Sequence, residues 1–352
     1  ELPELKKLFR IPYGSDLEII ILDKEEQVIS LNEFGIVLPI IPNQPSISKG
    51  DDSRKVSFFY DKKSYKFNKF NNNKIINVKV LGKIRGQTMG RLDISPFSYN
   101  PITNKLKIIN KLEVKIVFRN TDSKSDMLNR RLYFDHNYEH LYKQFINYLP
   151  IPEKDIITNY PVKYVIISDS IFQPALQPFI EWKIKKGFIV LEEYTSNPLV
   201  GNSSTSIKAF LKDLYDNATI NDPAPTYLLI VGDISQVPSF QGNTGNHPSD
   251  MYYCEFDGNG DFYPEMYYGR LSANIPEELI PQIQKTLEYE QYTMPDPSYL
   301  DEVVMVSGVD ASMAPTYGNG QINYGNDNYF NNLNGINSNT YLYASGSGIT
   351  SD

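Results

Sequence analysis

The hydrophobic period changes partway along this chain, and that change constrains the fold more than any single residue does. Up to about residue 120 the apolar residues fall in short strand-like runs: Leu17–Leu22, Lys55–Tyr60, Ile75–Leu81, Leu92–Ile94, Leu106–Ile109 and Leu112–Phe118. Gly-Ser, Asn-Asn-Asn and Asn-Pro steps punctuate them. Alternation is clearest in the last run, where Leu112, Val114, Ile116 and Phe118 share one face. Many short strands with polar turns predict an antiparallel β-sandwich.

From Val162 the pattern alternates between strand and helix. Val162–Ser168, Phe188–Leu191 and Tyr227–Val231 are apolar runs of buried-strand type. Between them, Leu176, Phe179, Ile180 and Ile184 form one helical stripe that stops at Gly187. A second stripe, Ile207, Phe210, Leu211, Leu214 and Tyr215, follows the N-capping cluster Ser203–Ser206. Asn274 with Glu277 resembles a capping box opening a helix that carries Leu279, Ile280, Ile283 and Leu287. Val303–Val306 and Thr340–Tyr343 read as further strands, with Tyr329–Leu333 helical between them. Repeated β-α-β units predict a largely parallel sheet with helices on both faces.

Between the two patterns, Asn120 to Arg130 is polar and reads as a linker. Tyr138, Leu141, Tyr142, Phe145 and Leu149 then recur at helical spacing until Pro150 and Pro152. The expected division is a strand-rich domain with its C-terminal linker over 1–145, a first α/β subdomain over 146–298 and the start of a second over 299–352. A hydrophobic content of 41% and 13% aromatic residues in 352 residues supply real cores for such units. The net charge of -8, without a long basic run, argues against nucleic acid as the main partner. Lys183, Lys185 and Lys186 read as a solvated helix face. The single cysteine excludes an internal disulfide, and no apolar run reaches transmembrane length.

The stretch from Tyr227 to Arg270 holds the candidate chemistry. A buried strand meets a Gly-Asp turn, and an Asp-Gly-Asn-Gly-Asp loop follows. Asp257, Asn259 and Asp261 alternate with glycines, Glu265 lies four residues on, and Asp233 stands at the neighbouring strand end. Oxygen ligands at this spacing suit a hard cation, Ca²⁺ before Mg²⁺, although Asp-Gly-Asn-Gly also occurs as a plain turn.

The order of several motifs resembles the gingipain-like cysteine peptidases. Tyr164-Val-Ile-Ile-Ser-Asp169, Phe179-Ile-Glu-Trp-Lys183 and Lys186-Gly187 look like the opening strand and helix of their catalytic domain. Tyr227-Leu-Leu-Ile-Val-Gly-Asp233 with Val237-Pro238 looks like the third strand. Ser249-Asp250, Tyr253, Pro264-Glu265 and Gly269-Arg270 follow at the family's spacing. Leu2-Pro3-Glu4-Leu5, Ile11-Pro12 and the Pro96 to Pro101 segment resemble the family's β-sandwich propeptide.

The resemblance implies a propeptide followed by a caspase-like α/β catalytic domain, calcium near the acidic loop, and a secreted or cell-surface location. It also implies a Cys-His pair supported by an acidic residue, acting on peptide or protein substrates. Asp310, just past a predicted strand, aligns with the supporting Glu; an ordinary strand-to-loop Asp is the other reading. Cys254 falls where the family has no nucleophile, and nearby carboxylates raise a thiol pKa, so it is expected to be structural. His136, His140 and His247 are expected to be surface or packing residues. The Gly-His-Gly and Ala-Cys contexts of the pair are expected beyond Asp352, which makes the remainder of the catalytic domain a partner of this segment. Gly318-Asn-Gly-Gln-Ile-Asn323 carries no carboxylate before Asp327, so the resemblance does not by itself imply a requirement for Arg or Lys. A peptidase zymogen, a surface sortase of the same fold and a non-catalytic adhesion module are the three functions consistent with these residues.

Overall fold

The computed structural model describes residues 2–44, 55–71, 74–150, 162–243, 245, 247–258 and 260–343. Internal contacts divide the chain into one compact unit, Glu1–Asn43 with Tyr60–Gln284, and a second, Gln44–Phe59 with Lys285–Asp352.

The first unit opens with two antiparallel three-stranded sheets. The strands are β1 (Leu5–Ile11), β2 (Asp16–Ser30), β3 (Ile76–Ile84), β4 (Gln87–Ile94), β5 (Phe97–Asn100) and β6 (Lys105–Arg119). One sheet has the order β1-β4-β3, the other β2-β6-β5. Leu106–Ile109 and Leu112–Phe118, read as two strands, are halves of β6. Its pairing with β2 slips between Glu25 and Glu26, and the polar Asn110-Lys111 break sits at that slip. Leu17, Ile19, Ile116 and Phe118 pack on buried Phe9, Ile11 and Leu92, so the two sheets share a core. Gly90 permits that approach: a Cβ there would stand 2.5 Å from the Phe9 ring. Lys55–Tyr60 is not a strand: Val56, Phe58 and Phe59 are exposed, and the Phe59 backbone exchanges hydrogen bonds with the Gln44 side chain.

The polar segment read as a linker is instead helix α1 (Ser123–Tyr133). The Asp122 carboxylate accepts from Ser125 N, and Arg130 and Arg131 lie in the last turn. The helix buries no residue, so there was no apolar stripe to read. The helical spacing from Tyr138 to Leu149 yields only the short α2 (Glu139–Tyr142). Tyr142 of this helix and the flanking Tyr138 and Phe145 are buried and join a cluster with Ile84 and Met89 of β3 and β4.

The α/β part comprises β7 (Lys163–Ser168), α3 (Gln173–Lys185), β8 (Ile189–Tyr194), α4 (Ser204–Asp216) and β9 (Pro225–Val231). Two-residue strands β10 (Phe240–Gln241) and β11 (Pro248–Ser249), then β12 (Tyr267–Leu271) and α5 (Pro276–Gln291), complete it. The sheet order is β12-β9-β7-β8, and every pairing is parallel. Ser203 caps α4 in a reciprocal box with Ser206, and Ile207, Leu211 and Tyr215 are buried beneath it. In α3, Leu176, Phe179 and Ile180 are buried, but Ile184 is exposed and Lys183 lies inward. The ammonium of Lys183 sits 4.9 Å from the Phe179 ring and 5.5 Å from that of Tyr164, which compensates its burial.

In the second unit, β13 (Glu302–Val306) pairs in parallel with β14 (Asn337–Tyr341), and α6 (Asn319–Asn328) lies between them in sequence. Among the described residues, no helix is long and apolar enough to cross a membrane.

Candidate functional site

The acidic loop meets the β3–β4 hairpin. That hairpin turns on two residues, Arg85 (φ 50) and Gly86 (φ 68), both left-handed, as the right-handed twist of paired strands prefers. Gly86 also has no room for a side chain, because a Cβ would lie 2.7 Å from the Tyr133 ring. Arg85 accepts a conformation that costs a non-glycine residue about 1–2 kcal/mol, and its side chain is driven into the α/β part. It is 2% exposed. Its guanidinium donates to Pro225 O (2.6 Å), Glu265 O (3.2 Å) and Tyr133 O (3.0 Å), and stands 3.6 Å from the Asp135 carboxylate. The rings of Tyr138 and Tyr215 flank it at 5.5 and 5.6 Å.

The carboxylates face this turn. The Arg85 N–H donates to Glu265 Oε2, which also accepts from the Tyr215 hydroxyl at 2.8 Å. Lys83 donates its N–H to Asp261 Oδ2 (2.7 Å) and its ammonium to Asp257 Oδ1 (2.9 Å). Glu265 is fully buried, and its second oxygen, Oε1, has no hydrogen-bond partner. Burial pushes the Glu265 carboxyl up to about 8, reinforced by Asp257 and opposed by Tyr215 and the Arg85 N–H. Burial likewise raises Asp261, against the N–H groups of Lys83 and Tyr263.

The five residues expected to surround a cation are not gathered in one place. Glu265 precedes β12 and lies beside Pro225, at the N-terminal ends of the parallel strands. Asp233 follows β9 at the other end, where its carboxylate accepts from Ile234 N. A strand rises about 3.3 Å per residue, so seven residues of β9 separate them by roughly 20 Å. Asp233 therefore belongs to a different edge. Asn259 lies outside the described residues. Among the described residues no three His, Cys, Asp or Glu groups are arranged to hold a metal ion. Lys83 and Arg85 do not appear in the sequence reading of the site at all. Their only signal is a basic turn between two alternating strands, and Arg-Gly is not among the usual hairpin pairs.

At the C-terminal edge of the sheet, Arg270 of β12 holds Asp250 bidentately (2.8 and 2.7 Å) and donates to Gly232 O and Val237 O (2.8 and 2.9 Å). The Gly-Arg and Ser-Asp motifs thus meet as a clamp on the turn after β9. Cys254 is fully buried within the α4–β9 core, and burial, then Asp250 and Glu265, drives its thiol pKa upward. His140 Nδ1 meets Asn137 O at 3.0 Å, His136 packs edge-on against Phe134, and His247 lies against Gly242. In the second unit, Asp310 follows the C-terminal end of β13. Its Oδ1 accepts from Ser312 N, Ser312 Oγ and Met313 N, which fixes its orientation.

A family model for peptidase family C25 matches residues 157–348, and one for the C25 propeptide matches residues 1–146. The chain belongs to peptidase family C25. Among relatives of this C25 chain, Lys-gingipain W83 of Porphyromonas gingivalis is 36% identical over 95% of the chain and 19% of the relative. Gingipain R1 of the same organism is 28% identical over 84% of the chain and 29% of the relative. A solved structure described as a protease shares 38% identity and a TM-score of 0.51, covering 54% of this chain and 42% of that one. The C25 chain thus spans about a fifth of the length of the Lys-gingipains it matches.

Proposed function

We propose that this chain is the propeptide and the opening of the catalytic domain of a secreted or cell-surface cysteine endopeptidase, made as a zymogen. The observation that carries this reading is the pairing, in one chain, of a C25 propeptide match with a C25 peptidase match, joined in space by the buried Arg85 turn. The first 120 residues, with two antiparallel sheets over a shared core, support a β-sandwich propeptide. The α/β part supports a caspase-like catalytic domain, with 146–298 and 299–352 as portions of its two subdomains.

The chemistry is hydrolysis of peptide bonds in peptide or protein substrates. A thiolate nucleophile needs a polar, electropositive setting, and Cys254 sits in an apolar core with its thiol pKa raised. The Cys-His pair is accordingly assigned to the remainder of the catalytic domain, outside these 352 residues. Asp310 is assigned to orient and stabilise the histidine, on the strength of its place at a strand's C-terminal end. Calcium is proposed as a structural ion at Asp257, Asp261 and Glu265, which would have to draw together and away from Lys83 to hold it. The buried, unpartnered Glu265 Oε1 and two flanking hard-oxygen donors suit it.

The test compares the full-length protein before and after cutting between the first domain and the α/β part, using peptide substrates. Activity should rise once the cut first domain is separated from the α/β part, and fall at least about 100-fold in Asp310→Ala. Equal activity of the uncut form and of the cut form freed of its first domain would overturn the zymogen reading. An unchanged Tm after exhaustive chelation would overturn the calcium assignment.

A further inference from the structure

The contacts between the first 150 residues and the α/β part converge on one end of the parallel sheet. Besides the Arg85 turn, Thr226 Oγ1 donates to the Asp135 carboxylate, and the Tyr227 hydroxyl donates to Asn137 Oδ1 at 3.1 Å. The Tyr267 hydroxyl donates to Asn137 O at 2.9 Å. Tyr138 stacks on Tyr267 with ring centroids 4.5 Å apart. Thr226, Tyr227, Tyr267, Pro225 and Glu265 all lie at the starts of β9 and β12. Among the described residues of this surface, Arg85 is the guanidinium that is both buried and bonded to the α/β backbone.

From this we infer that the Lys83–Gly86 turn is the anchor that keeps the first domain bound to the α/β part after the connecting chain is cut. The α/β part presents a socket for this turn: Pro225 O and Glu265 O accept from Arg85 Nη1, the Glu265 carboxylate accepts from the Arg85 backbone N–H, and the Tyr215 ring flanks the guanidinium. Its occupant is Arg85 of this chain's own first domain. Three features support that assignment. Nη1 spans the two α/β carbonyls while Nε is held by Tyr133 O and Nη2 faces Asp135 in the first domain, a planar set of contacts that a lysine cannot reproduce. The turn is held left-handed at two successive residues, so Arg85 enters pre-formed and little ordering remains to be paid on binding. Gly86 closes against Tyr133 of the first domain, which braces the turn from behind. Cutting the connection therefore does not by itself release the first domain; release is a separate, slower step governed by loss of the Arg85 contacts. This inference rests on the propeptide reading above, yet its test reads binding and not activity.

A specific-protease recognition sequence is inserted between Leu149 and Val162 of the full chain, the purified protein is cut, and the fragments are followed by gel filtration at micromolar concentration. The wild-type fragments should co-elute, whereas Arg85→Ala should raise the dissociation rate at least about 100-fold, as truncating one member of a buried hydrogen-bonded charged contact does. Arg85→Lys should fall between them, and Lys83→Ala, removing the outer ion pair, should change the rate by less than about tenfold. Immediate separation of the wild-type fragments overturns the inference, even if Arg85→Ala does not fold. So does an Arg85→Lys or Arg85→Ala pair that dissociates at the wild-type rate. If instead the fragments behave as expected but the α/β part, once separated from the first domain, is no more active than the uncut chain, the anchor stands and the zymogen reading fails.

Discussion

Replacing Arg270 with alanine tests whether the family's Gly-Arg motif is a clamp or a bystander. The side chain makes four hydrogen bonds, two to the Asp250 carboxylate and two to the carbonyls of Gly232 and Val237. Arg270 is 13% exposed and Asp250 16%, so removing the guanidinium strands a carboxylate that water reaches poorly. A fully buried pair broken this way loses about 3–5 kcal/mol. The residual exposure here places the cost at the lower end, about 3 kcal/mol, or roughly 150-fold in an equilibrium constant. Arg270→Lys keeps the charge but not the fork and should lose about half as much. The loss should concentrate in the turn after β9, so hydrogen exchange of the Gly232–Val237 amides, read alongside urea denaturation, is the informative assay. A double-mutant cycle with Asp250→Asn should return a coupling of about 1.5 kcal/mol or more. If Arg270→Ala costs less than about 1 kcal/mol, or the cycle shows no coupling, the clamp is refuted.

Other outcomes follow from the same geometry. Gly86→Ala places a methyl group in a left-handed turn against the Tyr133 ring and should destabilise the protein by about 1–3 kcal/mol, measured by chemical denaturation. Gly90→Ala, aimed at the buried Phe9 ring, should cost a comparable amount, about 1–3 kcal/mol. Cys254 should resist alkylation in the native protein. Because burial raises its pKa, the thiol stays protonated as pH climbs from 7 to 9, so the labelling rate should not rise about tenfold per pH unit as a free thiol's does below its pKa; rapid native labelling would contradict its burial.

What the residue pattern alone determined is the class of each half. Strand periodicity before residue 120 and strand-helix alternation after 162 are local properties, carried by alternating faces and capped stripes such as Ser203 to Tyr215. Those survive in the structure because the local signal and the packing agree. Helix α1 escaped because it buries no residue fully, only half-covering Leu132 and Tyr133, and Lys183 was read outward because periodicity ranks residues by polarity and cannot see three rings around an ammonium.

The acidic loop shows the limit most clearly. Spacing placed Asp257, Asp261, Glu265 and Asp233 in one site, but a parallel strand runs one way, and seven residues of it put Asp233 and Glu265 at opposite ends of the sheet. Only the tertiary structure decided what faces the remaining carboxylates. Their partners, Lys83 and Arg85, lie more than 170 residues away in sequence. Contact over that distance is set by how two domains dock, and no local pattern encodes it.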